Sequence, residues 1–258
     1  MGVPKGSILG ALFYILVTND FPETIFSTSS YVHWSHMTTH CNDCGGLCCF
    51  ADDSTFTVSS QDQDTLEEKL NVKYEVMAKY LGNNKLKLND DKTHLLIMTT
   101  KHKRRLMNIQ TTIFTDQEEI KPIKTELLGI YIQDDLKWNE YIQNNGKSLL
   151  RQLSTRLNAL RIISNVASFK ARLMIGNGIF MSKLIFQISL WGGAEDYLLN
   201  SLQVVQNKAA RFITKKGKYT PIPELLKQCA WLSVRQSIFY HSVILIYKTL
   251  STTNPKYI

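Results

Sequence analysis

The clearest pattern in the sequence is a helical repeat of apolar residues within residues 66–81. The apolar positions recur at intervals of three or four residues, as one face of a helix requires: Leu66, Leu70, Tyr74, Met77 and Leu81. Thr65 and Glu68 fit a capping box at the start of this helix. Gly82 and Asn83 then predict its end. We therefore predict one long amphipathic helix in the first half of the chain.

The rest of the first half has the pattern of short strands. Residues 8–17 form an apolar run that is compatible with a buried helix or a buried strand, whereas residues 23–49 are polar and irregular. Cys48–Val58 predicts two short strands that flank a pair of aspartates. Thr93–Thr100 and Leu127–Ile132 are rich in apolar and β-branched residues, and each predicts one strand. The first half is therefore expected to mix helices and strands.

From Trp138 onward, the pattern is helical. One predicted helix face is made by leucines at four positions: Leu149, Leu153, Leu157 and Leu160. Another predicted face has the same spacing: Leu198, Leu202, Val205, Ala209 and Phe212. Thr220 and Pro221 open a further helix that runs to Cys229, because proline is tolerated in the first turn. A last helix is predicted over residues 233–250.

The secondary-structure pattern predicts an α+β domain over residues 1–132 and an all-helical region over residues 133–258. The net charge changes sign at the same boundary. The 258 residues carry a net charge of +8. The first segment holds 13 basic and 16 acidic residues, whereas the second holds 17 basic and 6 acidic residues, a balance of +11. Such an excess favours a polyanionic partner, most simply nucleic acid, over the alternative of a solvated basic surface.

Basic side chains of the second segment recur over successive helical turns: Arg151, Arg156, Arg161, Lys170, Arg172 and Lys183. This distribution suits contacts to the phosphates of a duplex without sequence preference. A separate basic cluster at residues 101–105 follows the predicted strand Thr93–Thr100. A solvated hairpin tip is the favoured interpretation of that cluster, and phosphate contact is the alternative.

Cysteine usage and hydropathy bear on the compartment. No apolar run approaches the ~20 residues of a membrane span, so no membrane partner is expected. Four of the five cysteines lie between Cys41 and Cys49, which is unlike a disulfide framework and predicts a reduced, intracellular chain. Cys41 and Cys44 have the spacing of a zinc-knuckle pair, but the second pair of ligands is not at a standard distance. A disordered loop without metal is therefore favoured over a Zn²⁺ site.

Asp52 and Asp53 stand between the two short strands that are predicted over Cys48–Val58. Carboxylate oxygens are preferred ligands of Mg²⁺, and paired metal ions clamp the attacking and leaving oxygens in phosphoryl transfer. A solvated turn is the more common role of an Asp-Asp pair, so the pair by itself does not establish a metal site.

Four sequence blocks, in order, resemble those of reverse transcriptases. They are Gly2-Val-Pro-Lys-Gly-Ser-Ile-Leu-Gly10, Phe50-Ala-Asp-Asp53, Asn84-Lys-Leu-Lys-Leu-Asn-Asp-Asp-Lys-Thr93 and Leu127-Leu-Gly-Ile-Tyr-Ile132. Their order and spacing resemble the non-LTR retrotransposon branch, of the LINE or jockey-like kind. Three further segments resemble the helical continuation of those elements: Trp191-Gly-Gly193, Gln206-Asn-Lys-Ala-Ala-Arg211 and Trp231-Leu-Ser-Val234. The resemblance implies a partial polymerase palm, an antiparallel sheet with helices, followed by thumb-like and connecting helices.

The resemblance also implies catalytic roles. Asp52 matches the main metal-binding residue, and Asp53 matches a weaker ligand. The implied cofactor is Mg²⁺, for which Mn²⁺ is a substitute. Lys92 belongs to the matched block that ends in Lys92-Thr93, and the resemblance implies that its side chain lies near the departing phosphate. The equally favoured alternative is that Lys92 is a surface lysine on a turn.

Further matched residues are implied to contact the substrate or template. Gly6 and Ser7 match the block beneath the nucleotide and template, where glycine lets a backbone approach closely, and Pro4 stiffens that turn. Gly129 matches the primer-grip strand, with a β-bulge as the alternative.

The implied activity is RNA-directed DNA polymerisation, in which the hydroxyl of a DNA primer attacks the α-phosphate of a dNTP on an RNA template. In the family, the first metal-binding aspartate precedes the Gly-Pro block, where this sequence has only Met1. Asp20 follows that block and does not match the missing residue. We therefore expect a chain that is truncated at the N-terminus and inactive alone. The expected location of the protein is the cytoplasm and nucleus. The alternative is a non-catalytic nucleic-acid-binding remnant.

Overall fold

A computed structural model gives the structure of the protein. It describes residues 8–21, 24, 31–33, 38–41, 45–50, 53–86, 88–89, 92–100, 102–103, 113–114, 119–120 and 125–252. The chain forms two compact units, Met1–Ile123 and Lys124–Ile258. Helices and antiparallel sheets both occur, so the predicted mixture of α and β structure is confirmed.

The first unit contains a four-stranded antiparallel sheet. Its helices and strands are α1 (Ile8–Val17), β1 (Tyr31–His33), β2 (Thr38–Cys41), β3 (Gly45–Phe50), β4 (Asp53–Thr57), α2 (Gln63–Asn83), β5 (Ile113–Phe114) and β6 (Glu119–Ile120). The sheet has the order β1-β2-β3-β4, and β5 pairs with β6 separately. Three of these strands fall within residues 23–50, so the expectation of an irregular, disordered stretch over 23–49 is wrong for its described part.

The long helix α2 is confirmed, and it ends at Asn83 as predicted. Its first turn differs from the prediction, because the N-cap is Asp62 rather than Thr65. The Asp62 carboxylate accepts a hydrogen bond from the backbone N–H of Thr65 at 2.8 Å. This hydrogen bond holds the pKa of Asp62 below its ordinary value.

The buried face of α2 packs into the core of the first unit. That core comprises Phe21, Leu47, Leu70, Tyr74, Met77, Tyr80 and Leu95. Tyr80 also anchors the segment after α1, since its hydroxyl donates to the carboxylate of Asp20 and lies 3.1 Å from the carbonyl oxygen of Val17. Burial and the neighbouring Asp20 raise the pKa of the Tyr80 phenol. Asp20 therefore has a structural partner.

Two apolar runs of the first unit differ from their predictions. Residues 8–17 form helix α1, but several of its apolar side chains are exposed rather than buried, among them Leu12, Phe13 and Leu16. Apolar composition alone does not define which face of a helix is covered. Of the described residues 93–100, only Leu95 makes an isolated bridge, so the predicted strand is absent there. Leu95 is buried in the core without a continuous hydrogen-bonded ladder on either side.

The second unit is mostly helical from residue 140 onward. It comprises β7 (Thr125–Leu127), β8 (Ile130–Ile132), a π-helical turn (Glu140–Asn144), α3 (Leu149–Ser164), α4 (Phe169–Ile175), a π-helical segment (Gly176–Met181), α5 (Ser182–Leu184), α6 (Ile188–Trp191), α7 (Asp196–Thr214), α8 (Ile222–Cys229) and α9 (Val234–Thr252). The predicted helices after Trp138 are confirmed. The hairpin of β7 and β8 belongs to this unit, whose boundary precedes Lys124.

The core of the second unit lies along α7, which packs against both α3 and α8. The predicted leucine face of α3 is confirmed, since Leu149, Leu153 and Leu160 are buried. Gln206 of α7 is buried among apolar side chains, and its amide donates to the carbonyl oxygen of Leu232 at 2.8 Å. This bond ties the segment before α9 to the central helix. Among the described residues, no helix combines the length and hydropathy that crossing a bilayer requires.

One buried cation holds two helix ends together in the second unit. The guanidinium of Arg172 in α4 donates to the carbonyl oxygen of Ile213 at 2.7 Å and to that of Ala167 at 2.6 Å. Carbonyl groups in the last turns of helices lack intrahelical partners. Arg172 therefore satisfies the end of α7 and the chain just beyond α3.

We expect Arg172→Met to lower the free energy of unfolding of the second unit by about 3 kcal/mol, because it leaves the buried carbonyl of Ile213 and the partly buried carbonyl of Ala167 without their charged donor. Urea unfolding followed by tryptophan fluorescence measures this, since three of the four tryptophans lie in the second unit. Lys170→Met, an exposed position on the same helix, is the matched control. Equal unfolding midpoints for the two variants would contradict the assigned role of Arg172.

Candidate nucleic-acid interface

The Phe50-Ala-Asp-Asp53 block joins two paired strands, since β3 ends at Phe50 and β4 begins at Asp53, and the two predicted strands are therefore confirmed. Strands β3 and β4 are antiparallel, and their register places Phe50 opposite Asp53 and Gly46 opposite Thr57. The hydroxyl of Thr57 accepts a hydrogen bond from the backbone N–H of Gly46 at 3.0 Å, which fixes the far end of the hairpin. Leu47 is buried in the core of the first unit. The hairpin is therefore anchored at the end away from Asp53.

Asp53 begins β4 and is exposed, and its partner Phe50 is also exposed at 63 %. A solvent-accessible carboxylate is chemically suited to a hard divalent cation such as Mg²⁺. Within the described residues, no three His, Cys, Asp or Glu side chains lie close enough together to hold a metal ion. Asp53 thus provides one available carboxylate at this end of the hairpin.

Several predicted site residues lie outside the described residues: Pro4, Gly6, Ser7 and Asp52. Lys92 is described and exposed, and its backbone N–H donates to the carbonyl oxygen of Asn89 at 3.0 Å in a local turn. The grouping of Lys92, Asp53 and Asp52 in one site stays a prediction.

Gly129 lies in a turn rather than in a strand, which corrects the prediction of one continuous strand over Leu127–Ile132. Leu127 pairs with Ile130, so the hairpin of β7 and β8 has a two-residue connection. The φ angles there are +48° for Leu128 and +79° for Gly129. Two successive positive φ angles are typical of the tight turns that join twisted antiparallel strands, and glycine adopts them without steric cost.

A groove of about 710 Å³ opens beside this hairpin, within the second unit. Its charged lining comprises Glu126, Glu140, Lys147, Arg151 and Lys183, and Gly129 lies at its wall. Arg151 and Lys183 are among the basic candidates predicted from the sequence. Lys147 and the tyrosines of the groove are not, because only the fold brings them together.

Tyr141 is an unusual member of the groove lining. Its side chain is only 4 % exposed, and its hydroxyl oxygen has no hydrogen-bond partner among the described residues. Burial, with a smaller contribution from the charge of Glu126, raises the pKa of this phenol to about 12. The hydroxyl therefore remains protonated near neutral pH and is available as a donor.

The cations of the groove are only partly balanced by its acids. The ammonium of Lys147 is 4.0 Å from the carboxylate of Glu126, and both side chains are largely exposed. Burial and the nearby positive charge of Arg156 lower the pKa of Lys183, whose ammonium also lies 5.1 Å from the ring centre of Phe186. An anion in the groove would stabilise the charged form of Lys183, because it would offset both effects.

Comparison with curated proteins finds two relatives from Drosophila melanogaster. The chain is 23 % identical over 223 residues to a probable RNA-directed DNA polymerase from transposon X-element, covering 83 % of this chain and 22 % of the relative. It is 26 % identical over 245 residues to a probable RNA-directed DNA polymerase from transposon BS, covering 93 % of this chain and 25 % of the relative. This chain is a homologue of transposon reverse transcriptases. The relationship that the four sequence blocks indicated is therefore confirmed.

The homology extends over most of this chain but over a small part of each relative. The chain spans about a quarter of the length of the curated relatives it matches. No family model matches the chain. No solved structure matches it either. The activities of the whole relatives are therefore only proposals for this chain.

Proposed function

We propose that the chain forms the partial palm and the thumb-like region of an RNA-directed DNA polymerase of a non-LTR retrotransposon. The observation that carries the proposal is the β3–β4 hairpin, in which the first and last residues of the Phe50-Ala-Asp-Asp53 block pair across antiparallel strands. The homology to two transposon polymerases supports the same assignment. The proposed substrates are an RNA template, a DNA primer and dNTPs, and the proposed location is the cytoplasm and nucleus.

The proposed reaction joins the primer 3′-hydroxyl oxygen to the α-phosphorus of a dNTP, and pyrophosphate leaves. Asp52 and Asp53 are the proposed ligands of Mg²⁺, or of Mn²⁺ in its place, because carboxylate oxygens suit these hard cations. When bound, the metal supplies stabilisation of negative charge on the phosphoryl oxygens. Lys92 is proposed to add positive charge near the leaving phosphates. Pro4, Gly6 and Ser7 are proposed to support the nucleotide and template.

The proposed role of the second unit is to hold the phosphate backbone of template and primer. Supporting this role, residues 133–258 carry 17 basic and only 6 acidic residues. Two of those acids pair with cations of the same unit: Glu195 with Lys137 at 2.7 Å, and Asp196 with Arg235 at 2.8 Å. The remaining cations are spread over several helices, as contact with a polyanion without sequence preference requires.

The first test is the salt dependence of nucleic-acid binding by the full chain. We expect weak binding of RNA and DNA without sequence preference, with a log–log salt slope of about −0.7 to −0.9 per phosphate neutralised. Fluorescence anisotropy of labelled duplexes and single strands at two salt concentrations measures the slope. Undetectable binding at low salt, or an affinity that does not change with salt, would refute the proposed role of the second unit.

The second candidate function is a non-catalytic nucleic-acid-binding protein. It is favoured by the excess of basic residues in residues 133–258, which does not depend on the aspartate hairpin. The two candidates share nucleic-acid binding and differ in catalysis. Primer extension by a chain that carries all the metal ligands therefore distinguishes them.

A further inference from the structure

We propose that the groove of the second unit is a binding site for one phosphate of a nucleic-acid strand, with Tyr141, Arg151 and Lys183 as its ligands. This inference rests on the proposed function, because it identifies the part of the basic unit that contacts the backbone. All three side chains line the same groove of about 710 Å³.

The buried hydroxyl of Tyr141 is the first observation. A buried polar group without a partner costs about 1–3 kcal/mol, so proteins rarely retain one without a function. Among the described residues, the Tyr141 hydroxyl has no such partner although the side chain is 4 % exposed. The side chain lines the groove, and a phosphate oxygen there would accept the hydrogen bond that the hydroxyl lacks.

The electrostatics of α3 and α5 are the second observation. Arg151 lies in the first turn of α3, a helix of 16 residues whose first turn contains no acidic residue. Within the described residues, the Ser148 side chain makes no capping hydrogen bond at this helix start. The positive end of the helix dipole and the Arg151 guanidinium therefore act together on the groove. Lys183 of α5 adds a second cation that is partly desolvated.

The acidic residues of the groove restrict the kind of ligand. Glu126 and Glu140 lie in the same lining as the three cations, which is unfavourable for a uniformly anionic surface such as a membrane or a polyacidic peptide. A nucleic-acid strand offers a phosphate for the cations and neutral hydroxyl or amino donors for the carboxylates. The mixed lining therefore favours a phosphodiester backbone.

The hydroxyl of Tyr141 gives the sharpest test, because Tyr141→Phe removes one atom from a buried side chain. We expect this variant of the full chain to bind oligo-U and oligo-dT about tenfold more weakly, since a hydrogen bond to a charged group is lost. We expect the thermal midpoint of the free protein to stay the same or rise, because an unpartnered buried group is removed. Unchanged affinity in a folded variant would overturn the proposal.

The charges are tested by a double variant, Arg151→Gln with Lys183→Gln. We expect its salt slope for single strands to be smaller than that of the wild type by about 0.7, because one phosphate fewer is neutralised. Lys69→Gln with Lys79→Gln removes two cations from α2, a helix of the first unit that is given no role in nucleic-acid binding, and is the matched control, with an expected affinity within about twofold of the wild type. Equal reductions in affinity for both double variants would overturn the assignment of a defined site.

The two oligonucleotides separate a phosphate site from a sugar site. Equal loss of affinity for oligo-U and oligo-dT supports phosphate binding, because both polymers share the backbone. Loss for oligo-U alone would mean that the groove binds the 2′-hydroxyl and would overturn the proposal. Binding by the wild type that no groove variant weakens refutes this inference but leaves the proposed function intact. No binding by the wild type refutes the proposed function itself.

Discussion

The 258-residue chain by itself is expected to give no primer extension with either Mg²⁺ or Mn²⁺. Mg²⁺ requires near-octahedral oxygen coordination, and Asp52 and Asp53 alone supply few fixed ligands. Within the described residues, no three His, Cys, Asp or Glu side chains form a group that could hold a metal ion. Catalysis of phosphoryl transfer depends on preorganised charge, so an incomplete ligand set removes most of the rate enhancement.

A fusion tests this expectation in both directions. Adding an upstream segment that carries the aspartate expected before the Gly-Pro block should give template-dependent extension. Asp52→Asn in that fusion should then lower the rate by about a thousandfold, or about 4 kcal/mol of activation free energy. Asp64→Asn, an exposed aspartate at the start of α2, is the control and should retain the rate. Extension by the unfused chain that Asp52→Asn abolishes would show that the metal ligands have been misassigned.

Trp191→Ala is expected to lower the free energy of unfolding of the second unit by about 3–5 kcal/mol, the usual cost of truncating a fully buried tryptophan. Trp191 is 0 % exposed, and its indole N–H donates to the carbonyl oxygen of Phe186 at 2.9 Å. The substitution removes the packing of the ring and leaves that carbonyl without its donor. Since ordinary domains are stable by about 5–15 kcal/mol, the loss is large enough to compromise folding at 37 °C.

Urea unfolding measures this loss, with Leu190→Ala as the matched control. Leu190 precedes Trp191 in α6 but is 51 % exposed, so its truncation should cost less than about 1 kcal/mol. The packing beside Trp191 is equally close at the next residue, Gly192. A Cβ atom on Gly192 would lie 2.5 Å from Cγ2 of Ile238 and 2.8 Å from the carbonyl oxygen of Ile188, so there is no room for a side chain. Equal destabilisation by Trp191→Ala and Leu190→Ala would contradict the central place of Trp191 in the core.

The helices were predictable where a long apolar repeat has one face to bury. In α2, α3 and α7 the repeat continues over several turns, and buried positions such as Leu70, Leu153 and Leu202 follow it. The start of α2 was not predictable from residue type, because Asp62 and Thr65 are both good N-caps. Only the bond from the Thr65 amide to Asp62 distinguishes them.

The short strands and the groove could not be predicted from local sequence, because both depend on contacts between residues that are distant along the chain. The run Leu127–Ile132 has the composition of one strand, yet positive φ angles at Leu128 and Gly129 fold it into a hairpin. The polar residues of β1 and β2 form strands because a neighbouring strand pairs with each. The groove brings together Tyr141 and Lys183, which are far apart in sequence, so no local pattern indicated it.

The most direct test of the central proposal is where the end of a primer contacts the protein. A primer–template duplex with a photoreactive nucleotide at the primer 3′ end is cross-linked to the full chain at low salt, and the linked peptide is identified by mass spectrometry. We expect the cross-link within residues 45–57, which comprise strands β3 and β4 and the two residues that join them in sequence. Cross-links found only outside this hairpin would contradict its assignment as the polymerase site.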